Sequence, residues 1–137
     1  MTAVNAGPAT ATIEARLPWN RTGIRLQAGS RYELTATGLW IDKNYEAGPD
    51  GYVSPNLLMR LGEFRRRVPK ARWFALVGAL DEDESTQFVI GSRMVYTPVR
   101  SGELTCFAND WRSKYDNNSG TLTLSVNLLL QLTAAKA

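Results

Sequence analysis

Apolar and polar residues alternate at period two along most of this chain, and that pattern constrains its fold more than any other feature. Ile13, Ala15 and Leu17 interleave with Thr12, Glu14 and Arg16; Ile24 and Leu26 with Arg25 and Gln27; Tyr32, Leu34 and Ala36 with Arg31, Glu33 and Thr35. The last run, from Thr121 to Leu130, sets Leu122, Leu124, Val126 and Leu128 against Thr121, Thr123, Ser125 and Asn127. Successive side chains of a strand point to opposite faces, so each run predicts a strand with one face buried. Trp73 to Leu80 (WFALVGAL) is almost wholly apolar and predicts a central strand covered on both faces. Phe88–Ile90, Met94–Tyr96 and Leu104–Phe107 add shorter strands, with turn residues such as Ala28-Gly29-Ser30 between runs. About eight strands result, and they predict an all-β antiparallel β-sandwich of jelly-roll type. One helical turn around Leu57–Leu61 is the expected exception. The 137 residues suit a single domain over 1–137, with a basic insertion near 57–72 and frayed ends.

The chain has no histidine and one cysteine, Cys106. Serine and cysteine triads that rely on histidine are therefore excluded, as are zinc and iron sites built on imidazole and any intrachain disulfide. Carboxylate chemistry, oxygen-ligand metals and plain binding remain. The formal net charge of +3 is uneven. Between Leu57 and Arg72 stand six cations (Arg60, Arg65, Arg66, Arg67, Lys70 and Arg72) and one acid, Glu63, for a net +5. That segment is expected to be a solvated loop partly neutralised by the acidic run Asp81–Glu84; the other reading is a polyanion site. No nucleic-acid motif accompanies it, so nucleic acid is not an expected partner. No apolar stretch approaches the length of a membrane span, and residues 1–12 lack the features of a signal peptide. The expected location is cytoplasmic, or exported without a recognisable signal.

The densest polar constellation runs from Asn109 to Gly120, between two strong strands. It holds Asp110 and Asp116 with Asn109, Asn117 and Asn118. Carboxylate and carboxamide oxygens are hard ligands that suit Ca²⁺. A polar turn whose Asn and Asp side chains bond their own backbone is the alternative, and the residues alone do not choose between them. The EF-hand spacing is absent.

Asn109-Asp110, followed by Tyr115-Asp116-Asn117-Asn118-Ser119-Gly120, resembles the N-D-x4-Y-x-N-N-S-G loop of the calcium-dependent galactophilic bacterial lectins, the PA-I lectin family. Weaker likenesses fall in order before it: Thr22-Gly23-Ile24 with Gly29, Ala36-Thr37-Gly38-Leu39-Trp40, Gly48-Pro49-Asp50-Gly51, Ala75-Leu76-Val77-Gly78 and Ser101-Gly102-Glu103-Leu104. The resemblance implies a galactose-binding-like β-sandwich. It also implies a Ca²⁺ held by the side chains of Asp110, Asn117 and Asn118, by the main-chain carbonyl of Lys114, and by Asp42 through its carbonyl or its carboxylate. So few carboxylates imply modest affinity, on the order of 10⁻⁵ to 10⁻³ M. Tyr45, Tyr52 and Trp111 are candidates for an aromatic face against the sugar, and Asp50 and Asn56 for hydrogen bonds to it. The family's sugar-contacting histidine has no counterpart in Gly51–Asn56.

These readings lead to an expected calcium-dependent carbohydrate-binding protein for a galactoside or other glycan. It is not expected to be an enzyme, since a carboxylate bound to a metal stays ionised and cannot serve as a glycosidase acid. A homo-oligomer is an allowed assembly. The alternative is a non-lectin interaction module, with calcium as a structural clamp and the 60–72 segment binding an acidic protein or polyanion.

Overall fold

The computed structural model describes residues 2–4, 7–54 and 56–131. The alternating runs form strands, and shorter strands join them. In chain order they are β1 (Thr2–Ala3), β2 (Ala9–Glu14), β3 (Asn20–Leu26), β4 (Arg31–Asp42), β5 (Tyr45–Ala47), β6 (Asp50–Tyr52), β7 (Trp73–Leu80), β8 (Asp83–Val89), β9 (Arg93–Tyr96), β10 (Gly102–Ala108) and β11 (Asn118–Leu130). One sheet runs β1-β3-β10-β7-β6, with β8 also on β7; the other runs β2-β11-β4-β5, with β9 also on β4. The pairings are antiparallel except β1 with β3. The chain is thus the all-β sandwich that its alternation predicts. The helical turn expected at Leu57–Leu61 is present as α1 (Leu57–Leu61). The expected fraying after Leu132 lies outside the described residues.

The inward residues of both sheets meet in one core, with Ile13, Ile24, Leu26, Leu34, Leu76, Leu104, Leu122 and Leu124 at or near zero exposure. All eight residues of β7 are buried, as WFALVGAL requires of a strand flanked on both edges and covered on both faces. Trp40 packs edge-on against Phe74 at 5.5 Å and donates its indole N–H to the Phe74 carbonyl at 3.2 Å. Phe74 itself has φ 61, a left-handed conformation that is costly for a bulky residue. Its N–H donates to the Asn109 carbonyl at 2.8 Å, so the strained residue is tied to the loop that carries the polar constellation. Cys106 is fully buried, and burial pushes its thiol above the ordinary value.

The basic segment departs from expectation. Arg60, Arg65, Lys70 and Arg72 face solvent, but Arg66 and Arg67 are buried. The Arg67 side chain is 1 % exposed. Its guanidinium lies 3.3 Å from the centroid of the Phe107 ring and 4.6 Å from that of Trp19. It donates to the Pro18 carbonyl and, at 3.1 Å, to the Tyr115 hydroxyl. A weakly hydrated, planar guanidinium stacks on aromatic faces where an ammonium would resist burial. Arg66 lies over the Trp73 ring at 5.1 Å. Arg66 and Arg67 therefore clamp the segment to the sandwich, and a polyanion cannot use them as a solvated patch. The buried Asn109 adds a second clamp: its Nδ2 donates to the carbonyls of Val68, Ala71 and Arg72, and its Oδ1 accepts from Val68 N at 2.9 Å.

Of the acidic run, Glu84 is the member that pairs with this segment, accepting from Arg67 and from Arg112. Asp81 and Asp83 pair instead with Arg100. The Arg112 hydrogen bond, followed by the charges of Arg112 and Arg67, holds the Glu84 carboxyl below its ordinary value. A depressed acid contributes stability that is present above the ordinary carboxylate value and is lost as pH falls through the depressed one. Wild-type protein should therefore lose more stability than Glu84→Gln as pH drops below about 5, with the two curves converging at lower pH. The difference should stay under about 1 kcal/mol because solvent screens the pair. Thermal unfolding of both proteins across pH measures it, and parallel curves would refute the assignment.

Candidate functional site

Strand register assembles the polar constellation. The sequence between Asn109 and Gly120 reads as one loop, but β11 already begins at Asn118 and pairs with β4. That pairing sets Asn118 directly opposite Asp42, the last residue of β4. The last residue of one strand and the first residue of another, far apart in the chain, are thereby brought to one end of the sandwich. Asp110 lies two residues beyond the end of β10, and a 3-10 turn at Tyr115–Asn117 returns the chain to the sheet. Tyr115 fixes that turn from inside: it is buried, and its hydroxyl donates to the Ala108 carbonyl at 2.6 Å.

Asp110 is 3 % exposed. Its Oδ1 accepts from Trp111 N at 2.7 Å, and its Oδ2 accepts from Asn118 Nδ2 at 3.1 Å. Asn118 Nδ2 also donates to the Ala15 carbonyl at 3.2 Å. Both protons of that amide are committed, so its orientation is set, and its buried Oδ1 has no hydrogen-bond partner among the described residues. Asp42 is buried as well, with Oδ2 accepting from the Tyr52 hydroxyl at 2.6 Å. Burial first, and the like charge of Asp42 second, push the Asp110 carboxyl up to about 7. Burial also raises Asp42, and it raises the Tyr52 hydroxyl further, with Asp42 adding to the effect.

A cavity of about 330 Å³ opens above these groups, lined by Asp42, Lys43, Tyr45, Asn56, Leu58, Met59, Trp73, Asp110, Trp111, Lys114 and Asn117. Tyr45 stacks on Tyr52 at 5.5 Å, which leaves Tyr45 on the cavity wall and Tyr52 behind it. Trp111 stands between the cavity and the basic segment, held by its indole N–H to the Gly62 carbonyl at 2.8 Å. A Cβ on Gly62 would meet that indole at 2.3 Å, so glycine is what lets the ring lie there. Asn56 caps α1 by accepting from Met59 N at 2.9 Å and lines the cavity as well.

The residue types fit a hard divalent cation. Two buried carboxylates of like charge disfavour one another without a counter-ion, and an orphaned buried amide oxygen lacks a donor. A cation that takes oxygen ligands would answer both conditions at once. Asp110, Asn118, Asp42, Asn117 and Lys114 are the residues that would hold it. Among the described residues no three acidic, histidine or cysteine side chains cluster, so this set depends on amide and carbonyl oxygens.

Some expectations do not meet here. Asp50 does not line this cavity: its Oδ1 accepts from Ser92 N at 2.7 Å, across a separate groove that Lys70 and Arg72 line. Asp116 is exposed and does not line the cavity. Lys43, Leu58, Met59 and Trp73 line the cavity without having been singled out. Lys43 follows Asp42 directly and had a local signal; Trp73 reads as core because its strand is apolar throughout.

No family model matches the chain, and no curated protein matches it in sequence. Among solved structures, one described as "EclA N-terminal domain; PllA-like lectin" superposes with a TM-score of 0.67 at 18 % identity, covering 88 % of this chain and 95 % of that one. The likeness is one of fold, over nearly the whole of both chains.

Proposed function

We propose that this β-sandwich is a non-catalytic, calcium-dependent carbohydrate-binding domain. The observation that carries the reading is that the buried carboxylates Asp42 and Asp110 both line one aromatic-walled cavity, with the buried Asn118 amide hydrogen-bonded to Asp110. The fold of a solved lectin domain supports it. A bound Ca²⁺ supplies open coordination positions where two neighbouring sugar hydroxyls can replace water. The protein's own residues do the rest. Asp42, Asp110, Asn117, Asn118 and the Lys114 carbonyl supply the oxygens. Trp111 and Tyr45 offer apolar faces for the C–H side of a sugar ring, and Asn56 offers a polar group at the rim. With both carboxylates engaged by the metal, neither is free to act as an acid.

A galactoside is the first sugar to test, and the lack of histidine in the Gly51–Asn56 loop makes a wider glycan panel necessary. Isothermal titration with calcium should give binding to at least one sugar of a glycan array, and EDTA should remove it. Sugar binding that survives EDTA, or no binding across the array, rejects the reading.

A further inference from the structure

Among the described residues, a run of exposed apolar side chains lies along α1 and the 3-10 turn after it, Glu63–Arg65. Leu57 is 72 % exposed, Leu58 80 %, Leu61 64 % and Phe64 69 %, and none of the residues of α1 is buried. Leu58, Leu61 and Phe64 recur every third position, and together they line one shallow trough with Trp111 and Arg65. A solvated helical turn would carry polar side chains at these positions. The ridge is not a loose loop. The buried guanidinium of Arg67, the four hydrogen bonds of Asn109 and the Trp111–Gly62 hydrogen bond hold its base on the sandwich.

The charges around the ridge choose its partner. Arg60, Arg65, Lys70 and Arg72 are exposed, and among the described residues none of them forms an ion pair. The segment's one acid, Glu63, is turned to Ser54 and Arg66. The face therefore presents aliphatic and aromatic side chains with two exposed cations of the same short segment, Arg60 and Arg65, that form no ion pair among the described residues. An open, shallow trough of apolar side chains takes a partner that yields to its shape, and an acyl–headgroup boundary does so without a matching surface. The cations add attraction to an anionic headgroup layer.

We infer that this ridge docks the protein on an anionic lipid surface, with Leu57, Leu58, Leu61 and Phe64 entering the headgroup boundary and Arg60 and Arg65 meeting lipid phosphates. The inference does not need the cation or the sugar, so the test is run in EDTA without glycan. The whole chain should sediment with vesicles of phosphatidylcholine and phosphatidylglycerol, and much less with phosphatidylcholine alone. Added salt should weaken binding. The pair Arg60→Glu and Arg65→Glu should weaken it by roughly fivefold or more for each cation removed. The pair Leu61→Asp and Phe64→Asp should abolish it; both residues lie outside the cation cavity, and their exposure leaves thermal stability nearly unchanged. Absence of vesicle binding, or vesicle binding that the Leu61 and Phe64 variant retains, overturns the inference. So does wild-type self-association that the same variant disperses, which would make the ridge an interface between copies. Retention on heparin without vesicle binding overturns it too, by showing a polyanion site.

Discussion

Calcium should raise the thermal stability of the wild-type protein, and Asp110→Asn should erase that increment. A ligand that binds the folded state at a hundredfold excess over its dissociation constant stabilises by about 2.7 kcal/mol. For a chain of this size that is a rise in Tm of roughly 8 to 10 °C. Asp110 is at the centre of the expected effect because it is buried beside Asp42 and hydrogen-bonds Asn118, the residue whose other amide atom lacks a partner. The asparagine variant keeps the shape but removes one of two negative charges, and a hard cation held by so few carboxylates loses most of its affinity. The metal-free variant carries its own change: relief of like charge between positions 42 and 110 is opposed by an amide donor that faces Asn118 Nδ2. The difference between calcium and EDTA cancels that change, so the increment is the quantity to compare. Differential scanning calorimetry measures it. A wild type that does not respond to calcium, or an Asp110→Asn variant that responds equally, removes the basis for a cation at this position.

The second large effect concerns Arg67. Arg67→Ala should cost about 3 kcal/mol, a fall in Tm on the order of 10 °C. The alanine leaves a void against Phe107 and Trp19, and it deprives the Pro18 carbonyl and the Tyr115 hydroxyl of a donor. Glu84 is partly exposed and can return to water, so an orphaned charge is not the main cost. Arg67→Met refills most of the volume without the charge and should lose clearly less. Chemical denaturation of the three proteins measures the series. An alanine variant within about 1 kcal/mol of wild type would mean that the stacked guanidinium contributes little beyond the cost of its burial. The effect reaches the site, because the segment that Arg67 clamps carries Leu58 and Met59 to the cavity wall.

Local pattern was a sound guide wherever a residue's environment follows from its near neighbours. The alternation around Ile13, Ile24, Leu34 and Leu124 foretells which side chains face the core, because a strand turns each side chain by half a revolution whatever lies beyond it. The apolar run Trp73–Leu80 likewise foretells burial on both faces. The oxygen-rich chemistry of Asp110, Asn117 and Asn118 is legible for the same reason, since those residues are close in the chain. The short strands β5 and β6 are not legible: three residues are too few for a period, and pairing with β4 and β7 makes them strands.

What the sequence by itself determined is the sandwich, the placement of its core faces and the chemical character of the Asn109–Gly120 stretch. Only the tertiary structure decided which distant groups share the site. The register that sets Asn118 against Asp42 brings a second carboxylate to Asp110, while Asp50 is drawn away to the Ser92 amide. Only the tertiary structure buried Arg66 and Arg67 as well, because the rings around them come from separate parts of the chain. The division has one physical cause. Side-chain alternation is a property of a strand alone, whereas register, cation burial and an orphaned amide arise only when strands far apart in sequence are packed together.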